Sequence, residues 1–125
     1  MKTILIVEDT EDYSDALKHT LTQKGYNVVV AATGQEGLAK AISEKPDLIL
    51  MDVMLPDQDG AETVLQIKEQ PFLTNVRIVF LTALTSDSKS GDNTIMVQGW
   101  DYPSISKMLD QDEIVKRVAQ YLAGL

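Results

Sequence analysis

The sequence predicts a doubly wound α/β fold, and three observations carry that reading. Four apolar runs rich in branched residues, 4–7, 28–32, 48–53 and 78–83, lack polar alternation. Such runs mark strands buried on both faces, as in a parallel sheet covered by helices. Helical periodicity fills the stretches between them, so strands and helices alternate about five times, and right-handed crossovers then place helices on both faces. The 125 residues, without internal repeat or linker, are the size of one domain.

Each element has its own signal. After the first run, Tyr13, Ala16, Leu17, Thr20 and Leu21 recur at helical spacing, and Gly25 supplies a stop. The next helix opens on Thr33-Gly34-Gln35-Glu36, a capping-box pattern, turns Leu38, Ala41 and Ile42 inward, and ends before Pro46. A third helix, over about 61–70, buries Val64, Leu65 and either Ile67 or the stem of Lys68, and ends against Pro71. Residues 85–103 are rich in Ser, Asp, Gly and Asn; Ile95, Met96, Val97 and Trp100 read there as the buried side of a short or irregular helix. The last helix follows the acidic cap Asp110-Gln111-Asp112-Glu113 and carries Ile114, Val115, Val118, Tyr121 and Leu122.

Composition removes several classes of function. The absence of cysteine excludes a disulfide framework, a thiolate metal site and a cysteine nucleophile. Nineteen acidic against eleven basic residues give a net charge of -8, which opposes attachment to nucleic acid or anionic membrane. No apolar run approaches the roughly 20 residues that span a bilayer, and the opening stretch is unlike a signal peptide. The expected location is the cytoplasm.

Chemistry concentrates at the strand ends. Glu8-Asp9 ends the first run and Asp52 ends the third. Ligand sites in open α/β folds lie beyond the carboxyl ends of the strands, so these carboxylates can form one acidic pocket of hard oxygen donors suited to a divalent cation. Asp57-Gln58-Asp59-Gly60 mimics part of a calcium loop, but Leu55 stands at the first ligand position and no helix pair flanks it. His19 lies beside the apolar stripe of the first helix and reads as structural.

Taken together, Glu8-Asp9, Asp52 in Asp52-Val53-Met54-Leu55-Pro56-Asp57-Gln58-Asp59-Gly60, Thr82-Ala83 and Lys107 arrive in an order that resembles the receiver domain of two-component response regulators. The resemblance covers nearly the whole chain. It implies a flavodoxin-like, five-stranded parallel sheet in the order 2-1-3-4-5 with about five helices, and a single receiver domain over 1–125 without an output domain. It also implies that Asp52 accepts a phosphoryl group from a phosphohistidine, on a sensor histidine kinase or histidine phosphotransfer protein. Mg2+ would be held by Asp9, Asp52 and the Met54 backbone carbonyl, with Glu8 holding a coordinated water. Thr82 and Lys107 would share the charge of the transferring oxygens, and the output would be contact with a downstream protein or a second copy. The expected role is signalling rather than enzymatic, with a phosphorylation-independent pseudo-receiver as the alternative. A haloacid dehalogenase-type phosphohydrolase is a weaker rival, because Asp52-Val53-Met54 lacks that family's second carboxylate.

The chain departs from the family pattern at three places. Met108 follows Lys107 where receivers usually carry proline; a cis bond before a non-proline residue costs about 2.5–4 kcal/mol, so a trans bond is expected. Ser104 occupies the position of the family's aromatic switch, three residues before the lysine, and residues 82–107 form a longer stretch than usual. Met54 and Leu84 hold the two positions that often orient the hydrolytic water, and neither side chain hydrogen-bonds water well. A slowly self-hydrolysing phosphoaspartate follows, and replacing Met54→Asn together with Leu84→Glu should shorten its lifetime. An unchanged lifetime would sink that expectation.

Overall fold

The computed structural model describes residues 1–83 and 94–123. Among these, strands β1 (Thr3–Val7), β2 (Asn27–Ala31), β3 (Leu48–Asp52), β4 (Arg77–Thr82), β5 (Thr94–Val97) and β6 (Trp100–Ser106) form one sheet in the order β2-β1-β3-β4-β6-β5. The helices are α1 (Glu11–Gln23), α2 (Gly34–Glu44), α3 (Gly60–Lys68) and α4 (Gln111–Ala123), with a 3-10 turn over Pro71–Leu73. The parallel core agrees with the expected 2-1-3-4-5 order, because β6 pairs with β4 in parallel. Beyond the expected five strands lies a sixth, β5, antiparallel to β6 at the sheet edge, and the described residues hold four α-helices rather than about five.

Continuous apolar strands sort their side chains by alternation. Ile4, Ile6, Leu48, Leu50, Val79, Leu81 and Ile105 face α1 and α4, where Leu17, Leu21, Ile114, Val118 and Leu122 meet them. The intervening Leu5, Val7, Ile49, Met51, Ile78 and Phe80 face α2 and α3 through Ala41, Val64 and Ile67. A one-residue slip would therefore exchange two cores, not a core and a surface, and strand register depends on the helices' small and large residues. Gly37 is one such residue: a Cβ there would press on the Val7 side chain at 2.8 Å.

Helix ends follow the local signals. Thr33 caps α2 by accepting from the Glu36 N–H at 3.0 Å, and the Glu36 carboxylate turns back to the Ala32 N–H at 3.2 Å. Asp110 caps α4 through the Glu113 N–H at 2.8 Å. At the end of α1, the Gly25 N–H reaches the Thr22 carbonyl and the Tyr26 N–H reaches that of Leu21, a Schellman arrangement that Gly25 permits at a φ of 97°. Pro71 stops α3 early, at Lys68, and begins the 3-10 turn instead.

The sequence misplaced several side chains. Ala16 and Ile42 are exposed, because Ser14 and Gly37 occupy the buried positions of α1 and α2 that face the sheet. The described part of the anticipated irregular helix is a β-hairpin: Val97 pairs with Trp100 around Gln98-Gly99, whose φ values of 49° and 84° are those of a type I′ turn. Strand alternation buries Val97 and turns Met96 outward, 67% exposed, while Trp100, opposite Val97 beside the turn, is 72% exposed; both depart from their expected burial. Residues 85–93 of that expected helix lie outside the described residues, as does Leu84.

Candidate functional site

Parallel pairing brings the ends of β1, β3, β4 and β6 to one edge of the sheet. Asp52 closes β3 opposite Leu81, Thr82 closes β4 opposite Ser106, and Glu8 follows β1, its N–H held by the Ala31 carbonyl at 2.9 Å. Glu8, Asp9 and Asp52 each bring a carboxylate oxygen within 4.8 Å of the others. Glu8 and Asp52 are buried, at 1% and 6% exposure, and Asp9 is open to solvent.

Lys107 enters this cluster from the end of β6. Its ammonium is ion-paired with Glu8 and lies 3.0 Å from Asp52 Oδ2. Its backbone is fixed too, with the N–H donating to the Thr82 carbonyl at 2.8 Å. The ring of Tyr13 on α1 lies below the ammonium, 5.4 Å from the ring centre. No peptide bond among the described residues is cis, so the bond to Met108 is trans as expected, and Lys107 still reaches the acidic pair.

These neighbours set the protonation states. Burial works against the charge of Lys107, but hydrogen bonds and attraction from Glu8 and Asp52 outweigh it, and its pKa rises. Burial, reinforced by the charges of Glu8 and Asp52, pushes the Tyr13 phenol up to about 12, so it stays neutral at physiological pH. Tyr13 was legible only as a core-facing residue of the first helix. Its place against Lys107 depends on a contact across 94 positions of sequence, which periodicity does not encode.

The loop after β3 is held on both sides. The Met54 N–H donates to Asp52 Oδ1 at 3.4 Å, Met54 bridges to Asp59, and the Gly60 N–H donates to the Val53 carbonyl at 2.7 Å. A side chain on Gly60 would overlap the Asp52 carbonyl, so only glycine lets α3 begin this close to the strand end. Asp59 caps α3 through the Glu62 N–H at 2.7 Å. Asp57, seen in the sequence only as part of a rejected calcium loop, accepts from the Gly34 and Gln35 N–H groups of α2 at 2.8 and 3.0 Å. These two bonds lower its pKa.

The donor set fits a small divalent cation: among the described residues, hard carboxylate oxygens from three residues face one ammonium, which leaves two of their negative charges unbalanced.

Comparison with known proteins agrees with this geometry. The family model described as the response regulator receiver domain matches residues 4–119. The chain belongs to the response regulator receiver family. Among curated relatives, the receiver is 45% identical over 82 residues to the alkaline phosphatase synthesis transcriptional regulatory protein PhoP of Bacillus subtilis, covering 66% of this chain and 33% of that protein. It is 36% identical over 125 residues to the response regulator ArlR of Staphylococcus aureus, covering 98% of this chain and 53% of that one. This chain thus spans about half or less of the length of these relatives. Among solved structures, the receiver superposes on the Vibrio cholerae chemotaxis protein CheY4 with a TM-score of 0.82 at 29% identity, covering 97% and 98% of the two chains. A receiver domain of a signal transduction histidine kinase from Syntrophus aciditrophicus gives a TM-score of 0.81 at 28% identity, covering 100% and 92%.

Replacing Lys107→Met would strand two buried carboxylates without their counter-charge. The expected loss is about 3 kcal/mol, the low end for breaking a buried pair, because the lysine side chain keeps 17% of its exposure. Since the folded pKa of Lys107 lies above its unfolded value, its contribution is complete at neutral pH and fades only as pH climbs through the raised value. Urea unfolding at pH 7 measures the difference, and stability equal to wild type would contradict the assignment.

Proposed function

We propose that this receiver takes a phosphoryl group on Asp52 from a phosphohistidine, in a Mg2+-dependent step, and passes the signal on by protein contact. The observation that carries the proposal is the meeting of Lys107 with Asp52 and Glu8 at the end of the parallel sheet. The Asp52 carboxylate would attack phosphorus, forming a P–O bond as the P–N bond to the imidazole breaks and its electron pair returns to the ring. Mg2+, held by Asp9, Asp52 and the Met54 carbonyl with Glu8 behind it, would neutralise the transferring oxygens. The Lys107 ammonium is close enough to move from the carboxylate to one of those oxygens, and the Thr82 hydroxyl would take another. Tyr13 would keep the lysine beside the site during that exchange.

Signalling then requires a surface whose populations shift on phosphorylation. The β5–β6 hairpin presents Met96 and Trp100 near the start of β4, while β6 itself runs on to Lys107 at the site, and this exposed edge would be the contact for a downstream protein. No helix among the described residues is long and apolar enough to cross a membrane. The proposal has the receiver itself act in the cytoplasm, with a histidine kinase or phosphotransfer protein and a downstream protein as its partners.

Intact mass after incubation with acetyl phosphate tests the proposal. One phosphoryl group should appear on wild type with Mg2+, and none with chelator or in Asp52→Asn. Failure of wild type to load at saturating Mg2+ would favour a phosphorylation-independent interaction module, whereas steady release of phosphate without accumulation would favour the phosphohydrolase.

A further inference from the structure

Three consecutive loop residues, Asp57, Gln58 and Asp59, are each tied to a helix. Asp59 holds the start of α3. The Gln58 amide donates to Thr63 Oγ1 at 2.6 Å and to Gln66 Oε1 at 3.0 Å, both on α3. Asp57 alone reaches across to α2, 23 positions back in sequence, where its two oxygens take the Gly34 and Gln35 N–H groups.

Thr33 covers only part of the α2 terminus, and the Gly34 and Gln35 N–H groups are left to Asp57. Thr33 accepts from the Glu36 N–H through its hydroxyl and from the Gly37 N–H through its carbonyl. The contact is also close-fitting: a Cβ on Gly34 would lie 2.5 Å from Thr63 Oγ1 and 2.6 Å from Gln58 Cγ. Gly34 thus lets the start of α2 settle directly on the loop. The helix dipole favours a carboxylate at this end, and each bond is charge-assisted.

We propose that Asp57 is a positioning residue, which clamps the acceptor loop to α2 and so fixes the Met54 carbonyl for the divalent ion. This rests on the metal-dependent reading of the site. Asp57 itself stands outside the carboxylate cluster, which among the described residues comprises Glu8, Asp9 and Asp52. Its influence runs through the backbone from Asp57 to Met54, which the Met54–Asp59 bridge ties into one short closed loop.

Calorimetric Mg2+ titration of wild type, Asp57→Ala, Asp57→Asn and Thr33→Ala, each with a thermal melt, separates positioning from helix capping. Asp57→Ala should weaken Mg2+ binding about tenfold, the low end of the range for partners that orient metal ligands. Asp57→Asn keeps one acceptor and should fall between it and wild type. Thr33→Ala removes a cap on the same helix and should lower the melting temperature with Mg2+ affinity unchanged. If both Asp57 variants lose stability while keeping wild-type Mg2+ affinity, the clamp is only a cap and the proposal fails. The Asn variant carries the comparison should the Ala variant not fold. Absence of saturable Mg2+ binding to wild type would overturn the underlying reading as well, whereas normal binding indifferent to Asp57 overturns only this inference.

Discussion

Three carboxylates crowded at adjoining strand ends, met among the described residues by the one ammonium of Lys107, are the constraint around which the rest of this molecule is arranged. Such a cluster repels itself, and burial of Glu8 and Asp52 raises the cost. A parallel sheet makes the arrangement accessible because all its carboxyl ends open on one side. The two apolar cores then hold β1, β3, β4 and β6 in the register that keeps the acidic ends together.

Lys107 shows how several weak restraints can replace one strong one. Its main chain is docked on Thr82, and its ammonium lies over the Tyr13 ring and meets two carboxylates. A trans bond to Met108 is compatible with all four contacts. The aromatic position three residues earlier is likewise reassigned: Ser104 is buried in β6, while Tyr102, two residues before it on the same face of the strand, packs edge-on against Phe80 with ring centres 6.0 Å apart. Among the described residues, this edge of the sheet is formed by the hairpin.

Much of this was legible in the residues. Unbroken apolar runs announced buried strands, Thr33 and Asp110 announced helix starts, and the acidic residues at strand ends announced a common pocket. The hairpin was missed because polar composition in 85–93 and a short apolar cluster suggested a poor helix; the better signal was Gly99 between the alternating Ile95, Val97 and Trp100, Tyr102. Ile42 misled for another reason: hydrophobicity marks one side of a helix, but Gly37 and Ala41 set which side approaches closely enough to be buried. Asp57 gave no readable signal. Its partners are main-chain N–H groups on a distant helix, and any loop acceptor of the right reach would look the same in sequence.

Charge balance in the pocket makes an opposing pair of expectations. Calorimetric Mg2+ titrations of Asp52→Asn and Lys107→Met, compared with wild type, test it most directly. Removing a carboxylate should weaken binding at least tenfold, on the order expected for loss of a ligand charge, while removing the ammonium should tighten it. Affinity that moves in neither variant, or that falls in both alike, would contradict a cation site governed by these carboxylates.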